Sequence, residues 1–168
     1  MRRKDREITD FDEMVSVMRR CDVCRLAFQD GDVPYIVPLN FGMKVKEDSV
    51  TLYFHGALEG KKYEVMKNHP KAAFEMDCGH RIVLDDDKHS CTMEYESIIG
   101  SGTVSLLGGE EKYNALMHLM RQYHSEDFPF NKDMIKVTNV FSLRVETMTG
   151  KRRKKENGEH YQGQADKA

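Results

Sequence analysis

The chain contains no tryptophan, and only four prolines and four cysteines, in 168 residues. No apolar run approaches the roughly 20 residues that span a bilayer, so no membrane helix and no membrane partner is expected. The opening Met1-Arg2-Arg3-Lys4-Asp5 is charged and no apolar segment follows it, which argues against a secretory leader. Without a leader, the cysteines read as reduced thiols of a cytoplasmic protein rather than as a disulfide framework. An excess of one charge is also missing: 26 Lys and Arg face 28 Asp and Glu. Residues 151–168 hold six Lys or Arg and three Asp or Glu; the remainder, with 20 basic and 25 acidic residues, carries −5. An acidic body argues against a nucleic-acid partner.

The length suits one domain with a core, expected over residues 1–150, followed by a basic tail over 151–168. Asp10-Phe11-Asp12-Glu13 offers a helix cap, and Phe11, Met14, Val15 and Met18 recur at helical spacing up to Arg20. Strands are expected at Val23–Gln29, Val33–Phe41 and Ser49–His55, with Asp30-Gly31 as a turn and Val50, Leu52 and Phe54 on one face. A short helix over Gly60–Asn68 stops at Pro70, and a strand follows over Ala72–Asp77. Residues 78–90 read as irregular. Thr92–Leu107 reads as two strands with a bend or bulge at Gly100 and Gly102. Glu111–Tyr123 is the clearest helix, with Tyr113, Leu116, Met117, Met120 and Tyr123 on one face. Val137–Thr147 closes the pattern, with Val137, Val140, Leu143 and Val145 as core candidates. Strands and helices do not alternate as βαβ units. The expected class is therefore mainly β, an antiparallel barrel with peripheral helices.

The densest chemistry lies in Tyr53-Phe54-His55-Gly56-Ala57-Leu58-Glu59-Gly60-Lys61-Lys62. A strand ends in aromatic residues and an imidazole, a glycine loop follows, and two lysines open a helix. Lysine at a helix start opposes the macrodipole, so two of them suggest an anionic partner such as a phosphate. Together these residues suit a phosphorylated aromatic cofactor, against the bland reading of a solvated first turn and a strand-end histidine. Val33–Phe41, interrupted by Pro34 and Pro38, leaves backbone carbonyls free to meet a flat ring, or is simply an edge strand. Ser97, in Glu94–Gly100, either contacts a phosphate or ring edge or belongs to a half-buried strand. Cys21-Asp22-Val23-Cys24 has the spacing of a redox or zinc half-site but lacks a second pair. Cys78, His80, His89 and Cys91 offer zinc-ligand types at no recognised spacing, and no metal is expected. The run Lys151–Lys155 reads as a solvated tail.

These motifs resemble the pyridoxamine 5'-phosphate oxidase-like flavoproteins, in particular their nitroimidazole-resistance (Nim) branch. The resemblance rests on Val23–Ala27, Pro34–Gly42, Tyr53–Ala57 with Gly60-Lys61-Lys62, Tyr95–Gly102, Glu111–Leu119 and Val145–Lys151, in order over most of residues 6–151. One departure is Met43, where relatives often carry an aromatic residue. The resemblance implies an FMN-binding split β-barrel, antiparallel and Greek-key-like, working as a homodimer with FMN at the subunit interface. By that resemblance Val37, Pro38, Leu39 and Asn40 meet the isoalloxazine edge, beside Tyr53, Phe54, His55 and Gly56. Lys61 and Lys62 hold the phosphate, and Tyr95, Ser97 and Ile98 reach the flavin from the partner subunit. His55 is the catalytic candidate. The implied activity is FMN-dependent reduction of a small organic acceptor such as a nitroaromatic; the alternative is a non-catalytic flavin- or haem-binding module.

Overall fold

The computed structural model describes residues 2–124 and 128–154. The strands are β1 (Glu7–Ile8), β2 (Cys24–Phe28), β3 (Tyr35–Leu39), β4 (Gly42–Lys46), β5 (Ser49–Gly56), β6 (Lys71–Asp85), β7 (Ser90–Leu107) and β8 (Asn139–Arg153). The helices are α1 (Phe11–Arg20), α2 (Lys61–Asn68), α3 (Gly109–Tyr123) and α4 (Lys132–Lys136). All eight strands join one sheet in the order β3-β2-β6-β7-β8-β5-β4, with β1 on β8, and every pairing is antiparallel. The mainly β class with peripheral helices is the one expected.

The sheet's two edges, β3 and β4, are consecutive in the chain and only Asn40 and Phe41 lie between them. A sheet whose opposite edges are that close must curl on itself, yet β3 and β4 form no ladder. The result is a barrel split along one seam. Its interior holds Phe28, Phe41, Phe54, Phe74 and Phe141 with Leu26, Leu52, Met76 and Leu143, all fully buried. Helix α1 adds Val17 and Met18 to that core, and Asp10 caps it by accepting from the Glu13 N–H at 2.8 Å. Helix α3 covers β4 and β5 from outside.

Several expected boundaries change. The strand expected over Val33–Phe41 is present but shorter, β3 at Tyr35–Leu39, and β4, unexpected from the sequence, follows from Gly42. Residues 78–85 are not irregular but continue β6 past a bulge between Cys78 and Arg81, where Gly79 has φ +69°. With β7 they form a projecting two-stranded arm that buries little besides Val83 and Glu94, so its sequence lacks an apolar alternation. Thr92–Leu107 lies within one strand of 18 residues, Ser90–Leu107, rather than forming two. Strand β8 runs on to Arg153, with Lys151 opposite Ser97, so the domain extends three residues past the expected boundary at 150. The rest of the expected tail, from Lys155, lies outside the described residues. Val137 is exposed beyond α4 rather than buried. Helix α3 buries Ala115, Leu116 and Leu119, and its Tyr113 and Tyr123 sit at the rim. Among the described residues no helix is long and apolar enough to cross a membrane.

The expected irregularity at Gly100 and Gly102 is a register shift in the β7–β8 ladder between Ser101 and Gly102, where β8 carries the extra residue, Glu146. A Cβ at Gly102 would collide with the Arg144 carbonyl, and one at Gly100 with the Thr147 carbonyl and the Phe74 ring. Gly102→Ala should therefore lower stability by about 2–3 kcal/mol in urea unfolding, whereas Ser105→Ala on the same strand should stay within about 0.5 kcal/mol.

Candidate functional site

The end of β5 and the start of α2 make a compact corner. Gly56 has no side chain, and an added Cβ there would lie 2.8 Å from the Tyr63 hydroxyl, 2.9 Å from Lys62 Cε and 3.0 Å from Lys62 Nζ. Bare backbone, an ammonium and a phenol thus share one small space. The Lys62 ammonium sits 4.7 Å from the Tyr63 ring centroid and has no carboxylate partner among the described residues. The Tyr63 hydroxyl is buried and makes no hydrogen bond among the described residues. Burial raises its pKa, and the Asn139 side chain, whose amide donates to the Leu58 carbonyl at 2.8 Å, is near enough to temper that rise. An unpaired buried hydroxyl costs about 1–3 kcal/mol, so something at this corner is expected to bond it.

The two lysines have different situations. Lys61 forms an ion pair with Asp30 at 2.6 Å and lies 5.3 Å from the Tyr35 ring centroid, which ties α2 to the turn before β3. Helix α2 opens after Gly60 with no side-chain cap, so its first N–H groups are left to other acceptors. An uncapped helix start, a free ammonium and an orphan hydroxyl together make a fitting anion site.

The structure sorts the remaining expected site residues. His55 is exposed on the outer face of β5; partial desolvation and then the Lys62 charge hold its pKa below the usual imidazole value. The imidazole is therefore favoured in its neutral form near pH 7. Tyr53 is half-buried and stacks on His118 of α3, with centroids 5.3 Å apart and planes at 12°. Phe54 points inward and stacks on Phe141, so its side chain belongs to the core, not to a ligand. Val37 and Leu39 are half-buried against the core, while Pro38 faces outward. Because β3 is an edge strand, its outer backbone groups have no ladder partner, and Pro38 removes one donor from the row. Asn40 gives its amide hydrogen to the Asp22 carbonyl at 3.3 Å.

Tyr95, Ser97 and Ile98 are not at this corner. His55 is level with Val140 and, through it, with Leu107 of β7. Ser97 pairs with Asp77 and Lys151, far back along the same strand, about 30 Å at extended rise. Ile98 is fully buried beside Gly150, so only Tyr95, Ser97 and Ile99 look outward from that stretch. Tyr95 lies under Lys151, whose ammonium is 5.5 Å from its ring and, with Arg6, lowers its pKa. Cys78, His80, His89 and Cys91 do not converge, and no group of three or more His, Cys, Asp or Glu among the described residues could hold a metal ion.

Tyr63, Asn139 and Asp30 were not expected here, and Tyr35 only as part of the Val33–Phe41 run. Tyr63 adjoins the lysine pair, which is its one sequence signal; the others arrive through tertiary contact.

A family profile described as pyridoxamine 5'-phosphate oxidase matches residues 10–152. A candidate 5-nitroimidazole antibiotic resistance protein from Bacteroides thetaiotaomicron is 30% identical, with 87% of this chain and 86% of that chain covered and a TM-score of 0.76. The FAD and heme binding protein from Mycobacterium smegmatis shares the fold at 15% identity, covering 92% of this chain and 77% of that one, with a TM-score of 0.75. The flavocytochrome Anf3 from Azotobacter vinelandii does so at 17% identity, covering 92% and 72%, with a TM-score of 0.72. No curated protein sequence matches the chain.

Tyr63→Phe removes a hydroxyl that has no hydrogen-bond partner among the described residues. Without added ligand it should leave stability unchanged or raise it by about 1 kcal/mol in urea unfolding; a loss of that size would mean the hydroxyl is already bonded.

Proposed function

The chain belongs to the pyridoxamine 5'-phosphate oxidase-like family, and from that premise we propose that it is an FMN-dependent oxidoreductase reducing small organic acceptors, nitroaromatics among them. The observation that carries this reading is the corner of Gly56, Lys62 and Tyr63, with its unpaired hydroxyl and unpartnered ammonium. Lys62, the Tyr63 hydroxyl and the first N–H groups of α2 would hold the 5'-phosphate. Lys61 contributes charge and, through Asp30, sets the distance from α2 to β3. The free edge of β3 over Val37–Asn40 supplies backbone donors and acceptors for the polar rim of the ring. Bound flavin supplies two-electron redox chemistry; the protein orients it and limits water.

The working form is proposed to be a homodimer. Tyr95 and Ser97 look outward about 30–40 Å along β7 from the His55 row, so a second copy would have to bring them to the ring. Ile36 and Ile99, 61% and 55% exposed on the same outer face, give that copy an apolar surface to cover.

In this reading His55, exposed and close enough to Lys62 to feel its charge, would touch a bound acceptor or the ring. Kept neutral, it can accept or relay a proton at one ring nitrogen. The same exposed neutral imidazole favours a second reading, a haem- or flavin-binding module without turnover.

Stopped-flow mixing separates the readings. Protein loaded with FMN and reduced anaerobically should regain its visible flavin band on mixing with a 5-nitroimidazole, and sediment as a dimer. Flavin that stays reduced, or a haem spectrum in place of flavin, would favour the module. His55→Ala should keep FMN bound and slow reoxidation by about 10–100-fold; an unchanged rate would make the histidine a lining residue only.

A further inference from the structure

We propose that Cys21 and Cys78 are a redox pair that closes to a disulfide and fastens α1 to β6. Spacing in the sequence suggests Cys21 with Cys24, but the fold separates those two. Cys24 lies on β2 opposite Leu39, fully buried. Cys21 is instead the residue that ends α1, and Cys78 is the last residue of β6 before its bulge.

Both thiols point at the same atom. Cys21 Sγ donates to the Val17 carbonyl oxygen at 3.3 Å, and Cys78 Sγ lies 3.9 Å from that same oxygen. Two donors on one acceptor place the sulfurs side by side in the seam between α1 and β6. The thiols also sense each other: burial first and then Cys78 raise the pKa of Cys21. Exposure divides the roles. Cys21 is buried, whereas Cys78 is half-buried and stands near the Arg20 guanidinium. The accessible thiol meets the oxidant and the buried one resolves it. The backbone has play for the small approach required, because the ladder breaks between Cys78 and Arg81 and Gly79 takes φ +69°. Cys91 lies exposed on the projecting arm and Cys24 inside β2, so neither competes.

The oxidant is hydrogen peroxide. The Cys78 sulfur attacks the peroxide oxygen, the O–O bond breaks, and water leaves, giving a sulfenic acid. The Cys21 sulfur attacks Cys78 Sγ; the S–S bond forms, the S–O bond breaks, and hydroxide takes the Cys21 proton to leave as a second water. Two thiols are oxidised, one peroxide is reduced, and a dithiol reverses the change. The bond would bear on the end of α1, where Gln122 donates to the carbonyls of Arg19 and Cys21 and Tyr123 to that of Asp22.

The test is peptide mapping of the full chain after brief treatment with hydrogen peroxide, denaturation and alkylation. Two of the four cysteines should escape alkylation and appear as one cross-linked peptide pair joining Cys21 to Cys78, lost on reduction with dithiothreitol. The oxidised wild type should melt about 5–10 °C higher and return on reduction. In Cys78→Ser, Cys21 should stay alkylatable. Four alkylatable cysteines, a bridge between any other pair, or over-oxidised Cys78 without a bridge would overturn the assignment, and the wild-type map decides this even if the variant misfolds.

Discussion

Everything in the barrel depends on β7 bending without breaking. This one strand of 18 residues pairs over Ser90–Thr103 with β6 on one side and over Tyr95–Leu107 with β8 on the other. The backbones of β8 come so close at Gly100 and Gly102 that no side chain fits there, and a register shift between Ser101 and Gly102 absorbs the turn. Bulges raise local twist and bend the strand that carries them, here β8 at its extra residue Glu146, and β7 follows it through their shared ladder. The bend curls the sheet, and curling brings its two edges to the same place, with only Asn40 and Phe41 between β3 and β4. An edge strand with free backbone groups therefore stands at the seam, across Lys61 and Asp30 from the lysine-rich start of α2.

Much of this was legible because local rules and burial agree. The alternation of Val50, Leu52 and Phe54 marked β5, and the Asp10–Glu13 cap marked α1. Gly100 and Gly102 announced an irregularity, though not that one strand would pass through it. Illegible parts had competing causes. The β6–β7 arm gains its strand character from mutual pairing and from ion pairs such as Arg81–Glu94, not from an apolar face. Helix α3 looked aromatic-faced, yet packs through Ala115, Leu116 and Leu119. Tyr123 uses its hydroxyl, accepting from the Phe41 N–H and donating to the Asp22 carbonyl.

The site followed the same division. Lys61 and Lys62 stood out as a pair, but adjacency hid their difference: one is committed to Asp30 and the other is not. Phe54 and Ile98 belong to a motif by position while their side chains serve the core. The cysteine pairing suggested by spacing gave way to one that only the packing of α1 on β6 creates. Residues far apart in sequence set these outcomes, and no short-range pattern encodes them.

In the proposed function the β5–α2 corner receives the terminal phosphate of a flavin. Calorimetric titration of the cofactor-free protein with FMN and with riboflavin tests it most directly, since the two differ only by that phosphate. FMN should bind at least about tenfold more tightly, and Lys62→Ala should erase most of the difference. Equal affinity for the two flavins, or a preference that survives Lys62→Ala and Tyr63→Phe together, would contradict the account.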